Sequence, residues 1–320
     1  MDAFPEVDGR LYCEGVPLES IAERFGTPTY VYSRHAIETA FREFRDAAAG
    51  RDALICYALK ANSNLAVIDC LARLGAGFDI VSGGELARVL AAGGDPAHVV
   101  FSGVGKSERE MRDALAAGVL CFNVESLSEL ERLQRVAAGM ERTARVSIRV
   151  NPDVDARTHP YISTGLRENK FGIAHEVALE VYDRAALMPN LDVVGIDCHI
   201  GSQITQLDPF LAALDKMLEL IDAIEASGVR LHHIDLGGGL GIRYEQESPP
   251  ARGAMLAAIF DRIDRWRGAR QYRIMFEFGR SIVGNAGALL TRLEYLKTNG
   301  GRHYAVVDAA MNDLLRPTLY

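Results

Sequence analysis

The chain has 320 residues, 48% of them hydrophobic and 24% charged, which describes a soluble globular protein too long for one small module. Its 35 lysines and arginines stand against 43 aspartates and glutamates, a balance of −8, and without a basic run there is no electrostatic basis for a nucleic-acid surface. The longest apolar stretches, such as Leu54 to Leu59, run about six residues against the roughly 20 that span a bilayer, so the expected partner is a small molecule and not a membrane.

The N-terminus, MDAFPEVDGR, is acidic and broken by Pro5, unlike a secretory signal. Cys13, Cys56, Cys70, Cys121 and Cys198 are odd in number, dispersed and without a CxxC pair, which argues against a disulfide framework and against a metal site. A cytoplasmic protein with buried thiols is expected. After a strand-like run at 29–33, short β-type runs recur at 53–60, 78–82, 99–103, 121–124, 145–151, 192–200, 231–236 and 272–279. Between them, segments such as 84–92, 107–117, 126–138, 209–226 and 250–267 carry apolar residues at helical spacing, and Ser126 with Glu129 suggests a capping box. Eight apolar strands alternating with helices predict an α/β protein, a (β/α)8 TIM barrel over residues 36–285. Residues 1–35 and 286–320 leave this rhythm. With strand-like runs at 288–297 and 303–310 they predict a partial β-rich domain built from both chain ends, truncated at its C-terminal side and left with an exposed edge.

In such a barrel the chemistry sits at the C-terminal strand ends, which here carry Lys60, Asp79, Ser102, Asn123, Arg149, His199, Gly237 to Gly239, Glu277 and Arg280. Lys60 follows an apolar run, and desolvation there is expected to lower its pKa and make it a nucleophile toward a carbonyl; the plain alternative is a lysine snorkelling to solvent. Gly237, Gly238 and Gly239 after the seventh strand, and Gly279 with Arg280 after the eighth, occupy the place where this fold binds phosphate, though a tight βα turn needs glycines as well. A phosphate site facing a lysine suits a pyridoxal-phosphate (PLP) enzyme or a sugar-phosphate aldolase. His199, backed by Gly201 and Ser202, could stack on a flat cofactor, with Ser202 reaching a phosphate; a lone histidine on a strand is more often a core residue. Glu277, if buried, needs a cationic or N–H partner, either a pyridine nitrogen or Arg280. Asp79 could equally cap the next helix.

Several motifs carry a resemblance: Tyr57-Ala58-Leu59-Lys60-Ala61-Asn62, residues 151–159 (NPDVDARTH), Lys170-Phe171-Gly172-Ile173, His199-Ile200-Gly201-Ser202-Gln203 and Gly237-Gly238-Gly239-Leu240-Gly241-Ile242. From about residue 10 to the end the chain resembles the diaminopimelate decarboxylases, group IV PLP-dependent enzymes with an alanine racemase-like barrel. The resemblance implies that Lys60 carries PLP and that His199 stacks on its ring. It implies that Gly237, Gly238, Gly239 and the loop of Phe278, Gly279 and Arg280 hold the phosphate, and that Glu277 pairs with the pyridine nitrogen. Asp79, Arg149 and Ser202 match further cofactor-side positions. Arg280, Arg316 and Tyr320 match positions that contact the substrate, two arginines suiting the distal carboxylate of meso-diaminopimelate. The implied reaction is decarboxylation to L-lysine and CO2, the last step of lysine biosynthesis, by a homodimer with composite sites.

The chain departs from the family pattern in three places. Phe278 replaces a common proline, Ala309-Ala310 stand where glycine is frequent, and the later Cys-Glu motif, whose cysteine is the family's proton donor across the dimer, is missing. A non-catalytic PLP-binding relative is therefore the alternative from another class. An ornithine or arginine decarboxylase is the enzymatic runner-up, and an aldolase leaves His199 and Glu277 without a joint explanation.

Overall fold

The structure, a computed structural model, describes residues 2–155, 165, 169–267 and 272–315. Eight parallel strands close into a barrel: β1 (Ala53–Ala58), β2 (Gly77–Ile80), β3 (Val99–Phe101), β4 (Cys121–Val124), β5 (Ala144–Asn151), β6 (Leu191–Asp197), β7 (His233–Asp235) and β8 (Arg273–Phe278). Each pairs with the next, and β8 returns to β1 from Ile274 opposite Ala53 to Phe278 opposite Tyr57, which seals the ring. These are the eight runs read from the sequence, with one consequential difference: β1 stops at Ala58, and Lys60 sits in the 3-10 turn Leu59–Ala61. A two-residue strand that the sequence did not suggest, Ile173–Ala174, adds to β5 beside Val150 and Asn151.

The strands are mostly apolar because both faces are covered. Inside the ring, Leu54, Cys56, Val100, Cys121, Val194 and Met275 belong to one buried cluster. On the outer face of β8, Phe276 meets Phe260 of helix Arg252–Arg267 edge-on, and Phe278 stacks on Phe44 of helix Arg34–Ala47 with ring centroids 3.8 Å apart. The interior below the strand ends is thus filled largely by apolar side chains, and most of the buried polar ones gather at the ends.

The connecting helices start where their caps lie. Ser82 caps Gly83–Ala91, which leaves Asp79 free of the capping role. The full capping box forms at Ser107 and Glu110, ahead of helix Glu108–Ala117. At Ser126 only half of the expected box forms. Its hydroxyl accepts from the Glu129 amide at 3.2 Å, but the Glu129 carboxylate accepts instead from Lys106 (2.7 Å) and the Glu125 amide (2.9 Å), where the buried lysine offers a charge that a backbone N–H cannot.

The chain divides into two compact units, residues 38–284, which hold the barrel, and residues 1–37 with 285–320. In the second, Thr29–Tyr32 pairs antiparallel with Gly287–Leu290, and Leu293–Asn299 pairs with Arg302–Val307 in a hairpin whose first strand is exposed along its whole length. Its N-terminal part holds three short strands, Glu6–Val7, Arg10–Cys13 and Val16–Pro17, ahead of helix Leu18–Phe25. The Asp308 carboxylate ties this unit together by accepting from Thr27, Thr291 and the Arg292 amide. Among the described residues no helix is long and apolar enough to cross a membrane.

Candidate active site

The turn after β1 places the Lys60 amine 2.6 Å from Asp79 on neighbouring β2; the lysine side chain is 49% exposed and the aspartate is buried. The expected downward shift of the Lys60 pKa does not occur. Crowding by the protein pulls it down, but the carboxylates of Asp79 and then Glu277 outweigh this, and the pKa is raised. Lys60 is an ion-paired ammonium at the barrel mouth.

Glu277, at the end of β8, points into the barrel with 6% exposure. Its Oε1 accepts from Asn123 Nδ2 on β4 (3.2 Å) and from the Ser102 hydroxyl just after β3 (3.3 Å). Arg280 is not its partner. That guanidinium donates to the Ser202 hydroxyl from Nε (3.2 Å) and Nη2 (3.1 Å), and from Nη1 to the Tyr244 hydroxyl. Phe278, next to Glu277, faces the opposite way, and its side chain is a core residue stacked on Phe44 and Phe276.

His199 follows β6 and lies beside the glycine loop, where its Nδ1 accepts from the Gly238 amide at 3.2 Å. Burial first, then Arg149 and Lys60, hold its pKa well below the usual 6.5, so the imidazole is neutral and Nδ1 is free of a proton, as that hydrogen bond requires. The glycines after β7 are dictated by close approach. A Cβ on Gly238 would lie 2.1 Å from the Glu277 carbonyl oxygen, and Gly239, at φ +106°, would place one 2.5 Å from the Gly201 carbonyl oxygen. Gln203 latches the two loops, its amide exchanging hydrogen bonds with the Ile242 backbone N–H (3.1 Å) and C=O (2.7 Å).

The sequence reading missed the floor of the site. Asp197 ends β6 and Asp235 ends β7, and together with Glu277 they bring carboxylate oxygens within 4.8 Å of one another, all buried. Each lies two residues before a recognised motif, at His199 and at Gly237, and hence on the same side of its strand; this alternation was the available signal. Arg149 on β5 pairs with Glu125 (3.2 Å) and, more distantly, with Asp197 (3.9 Å), and lies over the Phe171 ring at 5.2 Å. Glu125, a third residue missed, also accepts from the Gly172 amide at 3.0 Å, so it joins the Lys170 to Ile173 motif to the barrel.

Carboxylates dominate this floor. Burial first and then Asp235, Asp79 and Asp197 push Glu277 well above its ordinary range, against Lys60; burial likewise brings Asp235 up to about 7. Asp79 Oδ1, Asp197 Oδ1 and Asp235 Oδ2 are buried without a hydrogen-bond partner among the described residues. With Glu125, five carboxyl groups face Lys60 and Arg149, so the site is short of positive charge and of donors. A ring with a protonated nitrogen at Glu277 would supply the missing charge and donor, Lys60 would take an aldehyde and the glycine loops a phosphate, and the residues present fit PLP. Arg316 and Tyr320, and residues 157–159 of the second motif, lie outside the described residues.

Residues 34–284 match the family described as "Pyridoxal-dependent decarboxylase, pyridoxal binding domain". Diaminopimelate decarboxylase from Pseudomonas aeruginosa is 62% identical over 320 residues, which is 100% of this chain and 76% of that protein. The chain belongs to the diaminopimelate decarboxylase family. Its fold is the family's as well. The crystal structure of the Helicobacter pylori enzyme complexed with L-lysine matches with a TM-score of 0.90 and 42% identity, over 95% of this chain and 75% of that one. That of the M. jannaschii enzyme in co-complex with L-lysine matches with a TM-score of 0.93 and 35% identity, over 100% of this chain and 76% of that one. Family membership makes this chain a PLP-dependent carboxy-lyase, and the aldolase and the ornithine or arginine decarboxylase fall away. It spans about three quarters of the length of these relatives.

Proposed function

We propose that the chain decarboxylates meso-2,6-diaminopimelate to L-lysine and CO2 with the residues assembled at the barrel mouth. One observation carries the assignment of roles: amine, imidazole, carboxyl and glycine cradle converge from different strands onto a floor short of positive charge. When bound, PLP supplies an electron-accepting ring for the pair released as the carboxylate leaves. Lys60 would hold its aldehyde, and Asp79, 2.6 Å from the amine, is placed to take the proton that the amine must lose first. The neutral His199 would lie flat on the ring. Glu277 would hold the ring nitrogen's proton through its carboxylate, and Arg149 would offset the neighbouring Asp197. Gly237, Gly238, Gly239, Ser202, the Phe278 and Gly279 backbone and Arg280 would cradle the phosphate.

Arg280 and Arg316 would grip the distal carboxylate with Tyr320 beside them; a guanidinium binds a carboxylate bidentately, and this contact separates diaminopimelate from lysine or ornithine. The working form would be a cytoplasmic homodimer with composite sites. All five cysteines of this chain are buried, in keeping with a reducing compartment and with a proton donor other than these thiols. Sedimentation of the purified chain tests the dimer.

The deciding experiment is release of lysine and CO2 from meso-diaminopimelate by the chain supplemented with PLP. Release is expected from the wild type and none above the protein-free solution from Lys60→Ala. An inactive wild type, or an active Lys60→Ala variant, would sink the assignment.

A further inference from the structure

Asn123 is fully buried and its amide is oriented on both sides. Its Oδ1 faces the Cys121 thiol at 3.9 Å, while Nδ2 donates to Glu277 Oε1 and to the Ser102 hydroxyl, both at 3.2 Å. Its backbone is fixed from behind: the Asn123 carbonyl accepts from Lys106 Nζ at 2.6 Å, and the same buried ammonium holds Glu129 and the Gly103 carbonyl at 2.7 Å. Ser102 is held in turn by its amide, which donates to the Ile80 carbonyl at 2.8 Å. Three strands thus meet at a single carboxyl oxygen.

The electrostatic setting explains why an amide belongs there. Glu277 is faced by Asp235 from β7, Asp79 from β2 and Asp197 from β6, all of which favour its neutral acid form, and by Lys60 after β1, which opposes them; Arg149 on β5 sits beyond Asp197. A lysine or arginine in place of Asn123 would stabilise the carboxylate but also cancel its charge, leaving nothing for a ring nitrogen to pair with. An amide N–H and a hydroxyl stabilise the carboxylate while remaining neutral.

We propose that Asn123, aided by Ser102, is a positioning residue for the reaction: it fixes Oε1 of Glu277 with neutral donors and keeps this buried side chain able to carry its charge beneath the cofactor's ring nitrogen. The inference rests on the reading of Glu277 given above. Its test begins on the cofactor-free chain. With carboxyl-labelled glutamate, and Glu277→Gln to assign the signal, carbon-13 NMR follows the titration of Glu277. Asn123→Leu, which keeps the volume and removes the donor, is expected to move the midpoint upward. An unmoved midpoint in a variant with wild-type circular dichroism and melting overturns the proposal. In the PLP-loaded enzyme the same variant is expected to lower kcat about ten- to hundredfold, the worth of one hydrogen bond to a charged group, with little change in KM. A rise in KM alone overturns it too. If Asn123→Leu does not fold, Ser102→Ala, a far smaller change, is expected to shift the midpoint in the same direction, and its failure to do so is equally decisive. A wild type that releases no CO2 would sink the decarboxylase reading but leave the NMR comparison standing, so the two failures are distinguishable.

Discussion

Lys60 shows how one contact reverses an expectation at the scale of a residue. Read as the end of an apolar strand, it should be desolvated and easily deprotonated. In the fold it leaves the strand line by one turn, half its side chain reaches solvent, and its amine meets a buried carboxylate at 2.6 Å. The ion pair holds the proton on, and the pKa goes up. Replacing Asp79 by Asn removes the opposing charge and keeps the shape. The expected outcome is a lower Lys60 pKa in the cofactor-free chain, measured as the pH dependence of its labelling by an amine-selective reagent with Lys60→Ala as the blank. An unchanged midpoint would mean that Glu277, not Asp79, sets the charge of the amine. The motif around Lys60 made the residue legible in the sequence. Its electrostatics were not, because Asp79 is 19 residues away and only the pairing of β1 with β2 brings the two together.

Elements impose the next constraint, in the barrel interior below the site. Gly195 on β6 stands opposite His233 on β7, and a Cβ added at residue 195 would lie 2.0 Å from the imidazole Nε2. The glycine is there because the histidine fills its place: a bulky ring on one strand needs an empty position on the next if the interior is to pack at normal density. Gly195→Ala should therefore destabilise the chain by about 1–3 kcal/mol, the usual range for overpacking, as measured by urea unfolding. A Gly195→Ala chain as stable as wild type would show that the imidazole moves aside freely. Nothing in the local pattern DVVGIDCHI distinguishes this glycine from one required by a turn; its role exists only across two strands.

For the whole molecule, titratable groups shifted by burial or by hydrogen bonds make stability depend on pH in opposed ways. Burial, with Arg145, His232 and Arg273, lowers the pKa of His233 to about 3. The folded chain then stays unprotonated at His233 in a range where the unfolded chain binds a proton, so stability is lost as pH falls from about 6.5 toward 3. Asp235, raised to about 7, acts oppositely: the folded chain keeps a proton that the unfolded chain sheds above about 4, and stability is lost as pH rises through that range. Asp308, held at about 2 by Thr27, Thr291 and the Arg292 amide, stabilises above about 4 and loses its contribution as pH falls toward 2. Comparison of wild type with His233→Leu cancels the two carboxylates. Between pH 6.5 and 5 the stability difference between these proteins should shrink by roughly 1–2 kcal/mol at the expense of the wild type, read from urea titrations at each pH. A difference independent of pH would mean that His233 titrates normally in the fold.

The sequence by itself determined the order of the eight strands, the helices between them and the motifs at their ends, because periodicity and turn chemistry are local and each strand, buried on both faces, is written as a continuous apolar run. The motifs around Lys60, His199 and the glycine loop also carried the resemblance that implied the cofactor class, where the strand-end residues alone left an aldolase open. Only the tertiary structure decided the charge of the site. Asp197 and Asp235 are strand-end carboxylates outside every motif singled out in the sequence, Asn123 and Ser102 are ordinary strand-end residues, and Arg280 could face either Glu277 or Ser202 until the barrel closed. Electrostatic effects in a low-dielectric interior depend on distances between residues far apart in the sequence, such as Lys60 and Glu277, and such distances are set when strands pair, not when residues follow one another.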